Sequence, residues 1–331
     1  MAREAGCRVA YLPVLAMRRI ADLYPGEAKT DAKDAAVIAD TARTMPHVLW
    51  SLELTDEITT EITTEITAEL TVLVGFDQDL AAEANRTSNR IRGLLTQFHP
   101  SLERVLDPRL DHPAVTWLLE RHGCPAALRK AGRRRLADLI CPKVPRMAER
   151  LIDEVFAAVD EQTVIVPGTS TLDLAIPSLA RSLTAVHQQR RSLESQIATR
   201  LEAHPVSPVL ISMPGGAVRT AAVLLVNVGD GINFPTAAHL ASYIGLAPTT
   251  KSSGTWIHGE HAPRSGNRQR KRAMLLSAFA ALHGPAFRTY YDKCRTRGKT
   301  HAQALLRLAR HRISVLLAML GDGAFCELRR P

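Results

Sequence analysis

The chain has 331 residues, of which 46% are hydrophobic and 23% charged, as in ordinary globular proteins of two or three domains. Its 42 Lys and Arg outnumber 33 Asp and Glu, and the formal net charge of +9 favours nucleic acid as a partner. The five cysteines are scattered and never spaced as C-x-x-C, which argues against a zinc ribbon or a disulfide framework. No apolar run approaches the ~18 residues of a membrane span. We therefore expect a cytoplasmic protein with no membrane association.

The first predicted elements are a short strand and a helix. Residues 7–14, CRVAYLPV, are typical of a short buried strand that ends at Pro13. From Thr30 the apolar residues follow helical spacing, and Pro46 ends the pattern.

Two aspartates at the start of this helix have two possible roles. With Thr30 or Asp31 as the N-cap, Asp34 falls in the first turn, where a negative charge complements the helix dipole. The local pattern favours this interpretation. Alternatively, Asp31 and Asp34 share one helix face with Cβ atoms ~5–6 Å apart, and such a pair can bind divalent ions that act on a phosphodiester.

A four-residue repeat follows at 55–73, TDEITTEITTEITAELTVL. The period nearly matches the helical 3.6, so we predict a helix whose glutamate and isoleucine rows drift slowly around it. Because Thr and Ile are β-branched, a strand remains the alternative. A second helix is predicted at 76–98, with Ile91, Leu94, Leu95 and Phe98 on one face.

A third helix is predicted from about 174 to 203, and it carries a short coiled-coil seam. Six positions follow 4-3-4-3-4 spacing, with one polar residue among them: Leu179, Leu183, Val186, Arg190, Leu193 and Ile197. The seam fits packing within one bundle or packing between two subunits. HPVSP at 204–208 is typical of a linker, after which a new domain is expected.

Two segments of this last domain contain candidate phosphate and nucleophile sites. MPGGAVRTAAVLLVNVGD at 213–230 resembles a helix-hairpin-helix element, whose backbone N–H groups bind phosphate; the alternative is a plain helix start entered through glycines. YIGLAPTTKSSG at 243–254 ends in a polar loop. By residue pattern alone, Ser253 is a loop serine, because no activating base or G-x-S-x-G motif is recognised.

A basic run, RSGNRQRKR at 264–272, enters the next helix. Its cations are typical of phosphate contacts, although a solvated helix face gives the same pattern. RKAGRRR at 129–135 and the segment 293–312 extend the basic surface. His258-Gly259-Glu260-His261 is a weak metal-site fragment, because it lacks a third ligand at typical spacing.

In series, these segments resemble one family, the DEDD-type transposases of the insertion-sequence-110 (IS110) group. The resemblance covers most of the chain, through AKTDAKDAAVIA, SNRIRGLLTQFHPSLERVL, MPGGAVRTAAVLLVNVGD, FPTAAHLASYIGLAPTTKSSG, RSGNRQRKRAMLLSAFAAL and YYDKCRTRGKTHAQALLRLAR. It implies an α/β plus all-α fold: a partial RuvC/RNase H-like domain at 1–55, a helical connector with coiled-coil segments at 56–205, and a mainly helical C-terminal transposase domain at 206–331.

The resemblance also implies a site. Asp31 and Asp34 correspond to the last two acids of a four-residue Mg²⁺ site, and Ser253, with Ser252 as the near alternative, corresponds to a serine that attacks DNA. The implied partners are DNA, a structured guide RNA and further copies of the chain. The residues expected to contact nucleic acid are Gly215, Gly216, Arg219, Lys251, Arg264, Asn267, Arg268, Arg270, Lys271 and Arg272.

The chain departs from the family pattern at three points that affect the expected activity. Only about 30 residues precede Asp31, and they lack the family's first aspartate and glutamate, so we expect a truncated chain with impaired catalysis. Ala217 replaces a glycine of the hairpin, and because glycine permits φ > 0, we expect the alanine to distort the phosphate-binding turn. Arg270 stands where a leucine is expected. The prediction is an insertion-sequence transposase; the alternative is a non-catalytic nucleic-acid-binding remnant or regulator. A repair-type helix-hairpin-helix enzyme has support only at 213–230.

Overall fold

The computed structural model describes residues 10–12, 14–24, 30–46, 49–51, 57–142, 144–162, 168–247, 249–253, 256–261 and 268–326, with 249–253 and 256–261 described by their backbone alone. The strands are β1 Ala10–Tyr11, β2 Trp50–Ser51, β3 Thr249–Ser253 and β4 Trp256–His261. The helices are α1 Val14–Ala21, α2 Asp31–Thr44, α3 Glu57–Phe98, α4 Pro100–Leu106, α5 Pro113–Arg121, α6 Pro125–Ala131, α7 Arg133–Ile140, α8 Ala148–Glu161, α9 Thr169–Glu202, α10 Ser207–Ser212, α11 Val218–Val228, α12 Ala237–Ile244, α13 Arg268–Ala280, α14 Pro285–Thr296 and α15 His301–Asp322.

The chain divides into two compact units. Residues 71–199 form one, here called the connector unit, and residues 1–70 together with 200–331 form the other, here called the terminal unit. The three-part division predicted from the sequence stays a prediction, with its boundaries at 55 and 205.

The repeat segment is helical, and it does not end where the sequence suggested. α3 runs through 42 residues without interruption, so the separate helix predicted at 76–98 is its second half. The reason is a continuous buried row that no breaker interrupts. This row comprises Ile66, Leu70, Val74, Leu80, Ala84, Ile91 and Leu95, whereas Ile62 is exposed. The predicted drift of the isoleucine row around the helix is therefore confirmed.

The predicted seam packs within the connector unit. Leu183, Val186 and Leu193 of α9 lie in one buried cluster with residues of α3. At the polar position, the Arg190 guanidinium donates two hydrogen bonds to the Asp77 carboxylate of α3, at 3.0 and 3.2 Å. Arg190 thus neutralises a carboxylate of its own chain, and the interpretation as packing within one bundle is confirmed for this seam. α9 also begins earlier than predicted, at Thr169, because Leu172 and Ile176 continue its buried row.

Shorter helices complete the connector unit. α8 packs against α4 and α7, and α6 packs against both α7 and α8. The fully buried residues at these contacts are Leu102, Leu106, Leu136, Ile140, Leu151, Ile152 and Val155. Burial of these apolar side chains is the main contribution to the stability of the unit.

The helices α10–α15 form the core of the terminal unit. α13 packs against both α11 and α15, while α12 and α14 also pack against α15. The supposed linker at 204–208 is a packed turn: His204 is buried, its Nδ1 accepts from Val206 N at 3.2 Å, and α10 already begins at Ser207.

The helical part of the predicted fold is confirmed. The predicted α/β part is not seen in the described ranges. There the strands form two antiparallel pairs, β1 with β2 and β3 with β4. The strand predicted at 7–14 is limited to Ala10–Tyr11, because Val14 already starts α1. A RuvC-like sheet therefore stays a prediction. Among the helices of the described ranges, none combines the length and apolarity that a membrane crossing needs.

Candidate functional site

Thr30, not Asp31, caps α2. Thr30 has extended backbone angles (φ −132°, ψ 149°), and its hydroxyl oxygen accepts a hydrogen bond from Lys33 N at 3.2 Å. Asp31 and Asp34 then both lie in the first helical turn, where their charges complement the helix dipole. The capping interpretation is confirmed, with Thr30 as the cap.

Capping leaves both carboxylates available for a ligand. Asp31 is exposed and Asp34 half-buried, and within the described part of the chain neither carboxylate accepts a hydrogen bond or forms an ion pair. Asp40, further along α2, differs: it accepts from the Tyr24 hydroxyl and from Arg43 Nη2, and these bonds lower the pKa of its carboxyl. Asp40 thus stabilises the packing of α1 on α2, while Asp31 and Asp34 have no such role.

The aspartate pair fits one side of a magnesium site. Mg²⁺ in proteins is typically bound by one or two carboxylates together with waters and substrate phosphates. Across the described ranges, however, no three His, Cys, Asp or Glu side chains are close enough to bind a metal. A divalent ion at Asp31 and Asp34 would complete its coordination with nucleic-acid phosphate, water or residues outside those ranges.

The candidate nucleophile lies on a hairpin, where the sequence suggested a loop. Ser252 and Ser253 end β3, paired with Ile257 and Trp256 of β4, and the ladder is irregular between Thr250 and Ser252. Irregularities of this kind redirect side chains and are common beside active sites. No extensive contact between described elements joins β3 to α2, so the meeting of Ser253 with the aspartates stays a prediction. The possible metal fragment at 258–261 lies in β4.

The glycine turn between α10 and α11 is needed for close packing. Gly215 has φ +77°, and a Cβ there would lie 2.4 Å from the Ser277 carbonyl oxygen of α13. Gly216 donates its N–H to the Met213 carbonyl at 2.6 Å, so this N–H is not free for phosphate. Ala217 has φ −63°, which any residue adopts. The distortion expected from an alanine at this position therefore does not arise.

Arg312 of α15 is a functional candidate that the sequence did not reveal. Its side chain is fully buried, and Nη2 donates to the Pro214 carbonyl of the glycine turn and to Ser277 Oγ of α13, the latter at 2.7 Å. The guanidinium also lies over the Phe287 ring, 4.9 Å from its centroid. Burial lowers the pKa of Arg312 to about 10, so the group is still charged at neutral pH.

The cations of the basic run at the start of α13 differ in exposure. Arg268 and Arg272 are exposed and lie one turn apart on the same helix face. Arg270 is half-buried: its Nε donates to Asn227 Oδ1 at 2.7 Å, and its Cζ lies 3.9 Å from the centroid of the Tyr243 ring. Arg270 is therefore anchored to α11 and α12, and its interpretation as a phosphate contact stays a prediction.

The other predicted contacts are only partly described. Lys271 of α13 and Arg219 of α11 are half-buried, and Lys251 lies in β3. Arg264 and Asn267 lie outside the described residues. The exposed cations of the basic run are thus Arg268 and Arg272 as far as the structure describes it.

Comparison with known proteins connects both ends of the chain to one family. Residues 1–100 match the DEDD-type family model of the IS110 group, described as a transposase. Residues 207–292 match the model described as the transposase IS116/IS110/IS902 family. The two matches include the candidate residues of α2, the glycine turn, β3 and α13.

Relatives align over most of the chain. An uncharacterized 43.6 kDa protein of insertion element IS110 from Streptomyces coelicolor is 78% identical, with 100% of this chain and 80% of the relative aligned. An uncharacterized 42 kDa protein of IS900 from Mycobacterium paratuberculosis is 37% identical, over 97% of this chain and 78% of that protein. The pilin gene-inverting protein of Moraxella bovis is 34% identical over 34% of this chain and 36% of its own length. From the family matches and these identities, the chain belongs to the IS110 family of insertion-element transposases, which are DNA transposases and recombinases.

Proposed function

We propose that the chain cuts and rejoins the DNA of its insertion element by a combined acidic-metal and serine mechanism. Asp31 and Asp34 would be the metal ligands, and Ser253 the nucleophile. The main support for the proposal is that the two aspartate carboxylates are available to bind a metal. Although both lie at a capped helix start, Thr30 makes the cap, and their carboxylates have no partner among the described residues.

The chain's own groups would divide the chemistry between them. Asp31 and Asp34 would hold Mg²⁺, which would supply positive charge to neutralise the phosphodiester under attack. Ser253 Oγ would bond to the phosphorus and displace a deoxyribose oxygen, leaving the chain covalently joined to DNA. We also propose a RuvC-like N-terminal domain and a helix-hairpin-helix element at 213–230.

The terminal unit supplies a surface for the DNA backbone. The glycine turn abuts α13 near Ser277, and Arg272 and Arg268 lie about 8 and 14 Å from that point along the helix axis at 1.5 Å per residue. At these separations, the turn and each cation would contact a different phosphate of a bound backbone. We include Gly215, Gly216, Arg219, Lys251, Arg264, Asn267, Arg268, Arg270, Lys271 and Arg272 in this surface. Gly216 would contribute to the shape of the turn, because its N–H is bonded to the Met213 carbonyl.

A structured RNA and further copies of the chain are proposed as partners beside DNA, on the family resemblance. The basic surface supports RNA and DNA equally, because both present phosphates. The seam at 179–197 no longer supports an oligomer, since it packs within the connector unit.

Covalent capture of DNA tests the nucleophile. A radiolabelled element end incubated with the full chain and Mg²⁺ should yield a protein–DNA adduct that resists denaturation. Ser253→Ala should abolish the adduct and leave DNA binding intact, while Ser252→Ala, the matched control, should retain it. Adduct loss in Ser252→Ala alone would transfer the role to Ser252.

The metal ligands are tested in the same assay. Asp31→Asn and Asp34→Asn should each lower adduct formation by at least about 100-fold, the scale of losing a principal electrostatic contribution to catalysis. Asp40→Asn is the control on the same helix, and it should affect stability only. If neither the unaltered chain nor any variant forms an adduct while all bind DNA, the chain is a non-catalytic nucleic-acid-binding protein.

A further inference from the structure

A cluster of positive charge lies in the connector unit, where α5, α6 and α7 meet. Its members, here called the corner patch, are Arg121, His122, Lys130, Arg134 and Arg135. The four Arg and Lys side chains are exposed and His122 is half-buried. The patch lies between the two stretches that match the family models, 1–100 and 207–292.

Eight of the fifteen arginines of this unit form ion pairs with carboxylates among the described residues, and those of the corner patch do not. The paired ones include Arg104 with Glu161, Arg109 and Arg150 with Glu154, Arg133 with Asp153, and Arg181 with Glu120. Among the described residues, no carboxylate forms an ion pair with Arg121, Lys130, Arg134 or Arg135. Four exposed charges without counterions repel one another, a cost that a bound polyanion would relieve.

His122 shows that two of these charges, those of Arg121 and Arg135, act at the same place. Burial lowers the pKa of its imidazole, and the charges of Arg135 and Arg121 lower it further. The nearby Glu120 does not offset them, because Arg181 of α9 pairs with it at 3.5 Å. Trp117 borders the same place: the Arg121 guanidinium lies 5.4 Å from its ring centroid, and His122 meets it edge-on at 6.3 Å.

We propose that the corner patch binds the sugar-phosphate backbone of a nucleic acid, as a contact separate from the active site. Arginine and lysine on adjoining helix ends can each neutralise a phosphate. A phosphate next to His122 would favour its protonated form, so binding would take up a proton. The proposal does not depend on Asp31, Asp34 or Ser253.

Salt-dependent binding by the full chain tests the patch. Fluorescence anisotropy with a 30-base-pair DNA duplex measures Kd from 50 to 300 mM KCl. Lys130→Gln/Arg134→Gln/Arg135→Gln should weaken binding at least about tenfold at 0.1 M. It should also reduce the slope of log K against log salt by about 2 to 3, at roughly 0.9 per lost phosphate contact.

A matched control carries the same change in net charge. Arg104→Gln/Arg150→Gln/Arg181→Gln removes three exposed arginines that are paired with carboxylates, and its slope should stay near that of the unaltered chain. Equal slopes for the two triple variants would overturn the proposal. Arg268→Gln/Arg272→Gln provides the comparison for the terminal unit. Circular dichroism confirms folding, and Arg134→Lys/Arg135→Lys should retain binding.

Two further binding measurements identify the type of nucleic acid and the role of His122. The same titration with a hairpin RNA and with single-stranded DNA shows which backbone loses most affinity in the patch variant; equal losses mean non-specific backbone contact. Between pH 8 and pH 6 binding should tighten, and His122→Gln should remove that pH-dependent part. An unchanged pH profile in His122→Gln would exclude the imidazole from the contact.

Discussion

Replacing Gly215 by alanine should destabilise the terminal unit strongly, through two separate effects. Gly215 has φ +77°, a conformation that costs a residue with a side chain about 1–2 kcal/mol. The new Cβ would also lie 2.4 Å from the Ser277 carbonyl oxygen and 3.1 Å from Ala281 N. Because these neighbours are backbone atoms, α13 itself must shift.

The size of the effect follows from adding the two contributions. Forcing an extra methyl group into a well-packed site costs about 1–3 kcal/mol, so Gly215→Ala should lose roughly 2–5 kcal/mol. Gly298 provides the control for the first contribution alone. It has φ +75°, and its Cβ would meet nothing within 4 Å, so Gly298→Ala should lose only about 1–2 kcal/mol.

Urea unfolding followed by far-UV circular dichroism measures both variants against the unaltered chain. The midpoint of Gly215→Ala should fall clearly below that of Gly298→Ala, at similar m values. Its DNA affinity should fall as well, because the turn and α13 would no longer keep their spacing. Equal midpoints for the two variants would refute the close approach of the turn to α13.

Two further predictions concern the connector unit and pH. Arg190→Met leaves the buried Asp77 carboxylate without two hydrogen bonds and should lose about 2 kcal/mol of stability, which Asp77→Leu/Arg190→Leu should largely restore in urea unfolding. Burial holds the pKa of both His99 and His204 below its ordinary value, so as the pH falls below about 6.5 the unfolded chain binds protons that the folded chain resists. Stability should then fall by up to about 1.4 kcal/mol per pH unit for each imidazole. Urea midpoints at pH 7.5 and 5.5 check this, and an unchanged midpoint would contradict it.

Local sequence patterns correctly predicted that α2, α3 and α9 are helical, because apolar periodicity is a short-range property. The start of α2 at Thr30, the helical state of the repeat and the seam of α9 all follow from residues within a few turns. The length of α3 was underestimated because the repeat at 55–73 and the segment at 76–98 were treated as separate helices. Its buried row continues through that boundary to Leu95, and burial, rather than composition, sets the length of a helix.

Some interactions were missed because the interacting residues are far apart in the sequence. The hydrogen bond of Arg270 to Asn227 was not foreseen, because Asn227 lies 43 positions away in the chain. Arg312 has no local signal at all: its acceptors are 98 and 35 positions away. A single sequence reveals that a segment is basic, but only the fold shows which cations face protein and which face solvent.

Buried Arg312 fixes the relative position of the glycine turn and α13 more than it stabilises the fold. Its Nε and Nη1 are buried without a hydrogen-bond partner in the described structure, and an incompletely satisfied buried charge is costly. Its Nη2 nevertheless joins Pro214 of the turn to Ser277 of α13, the residue that Gly215 also approaches most closely. Turn and basic helix are thus fixed to each other at one point. A surface that contacts phosphates at a set spacing needs that rigidity, and cations on independently moving segments would not supply it.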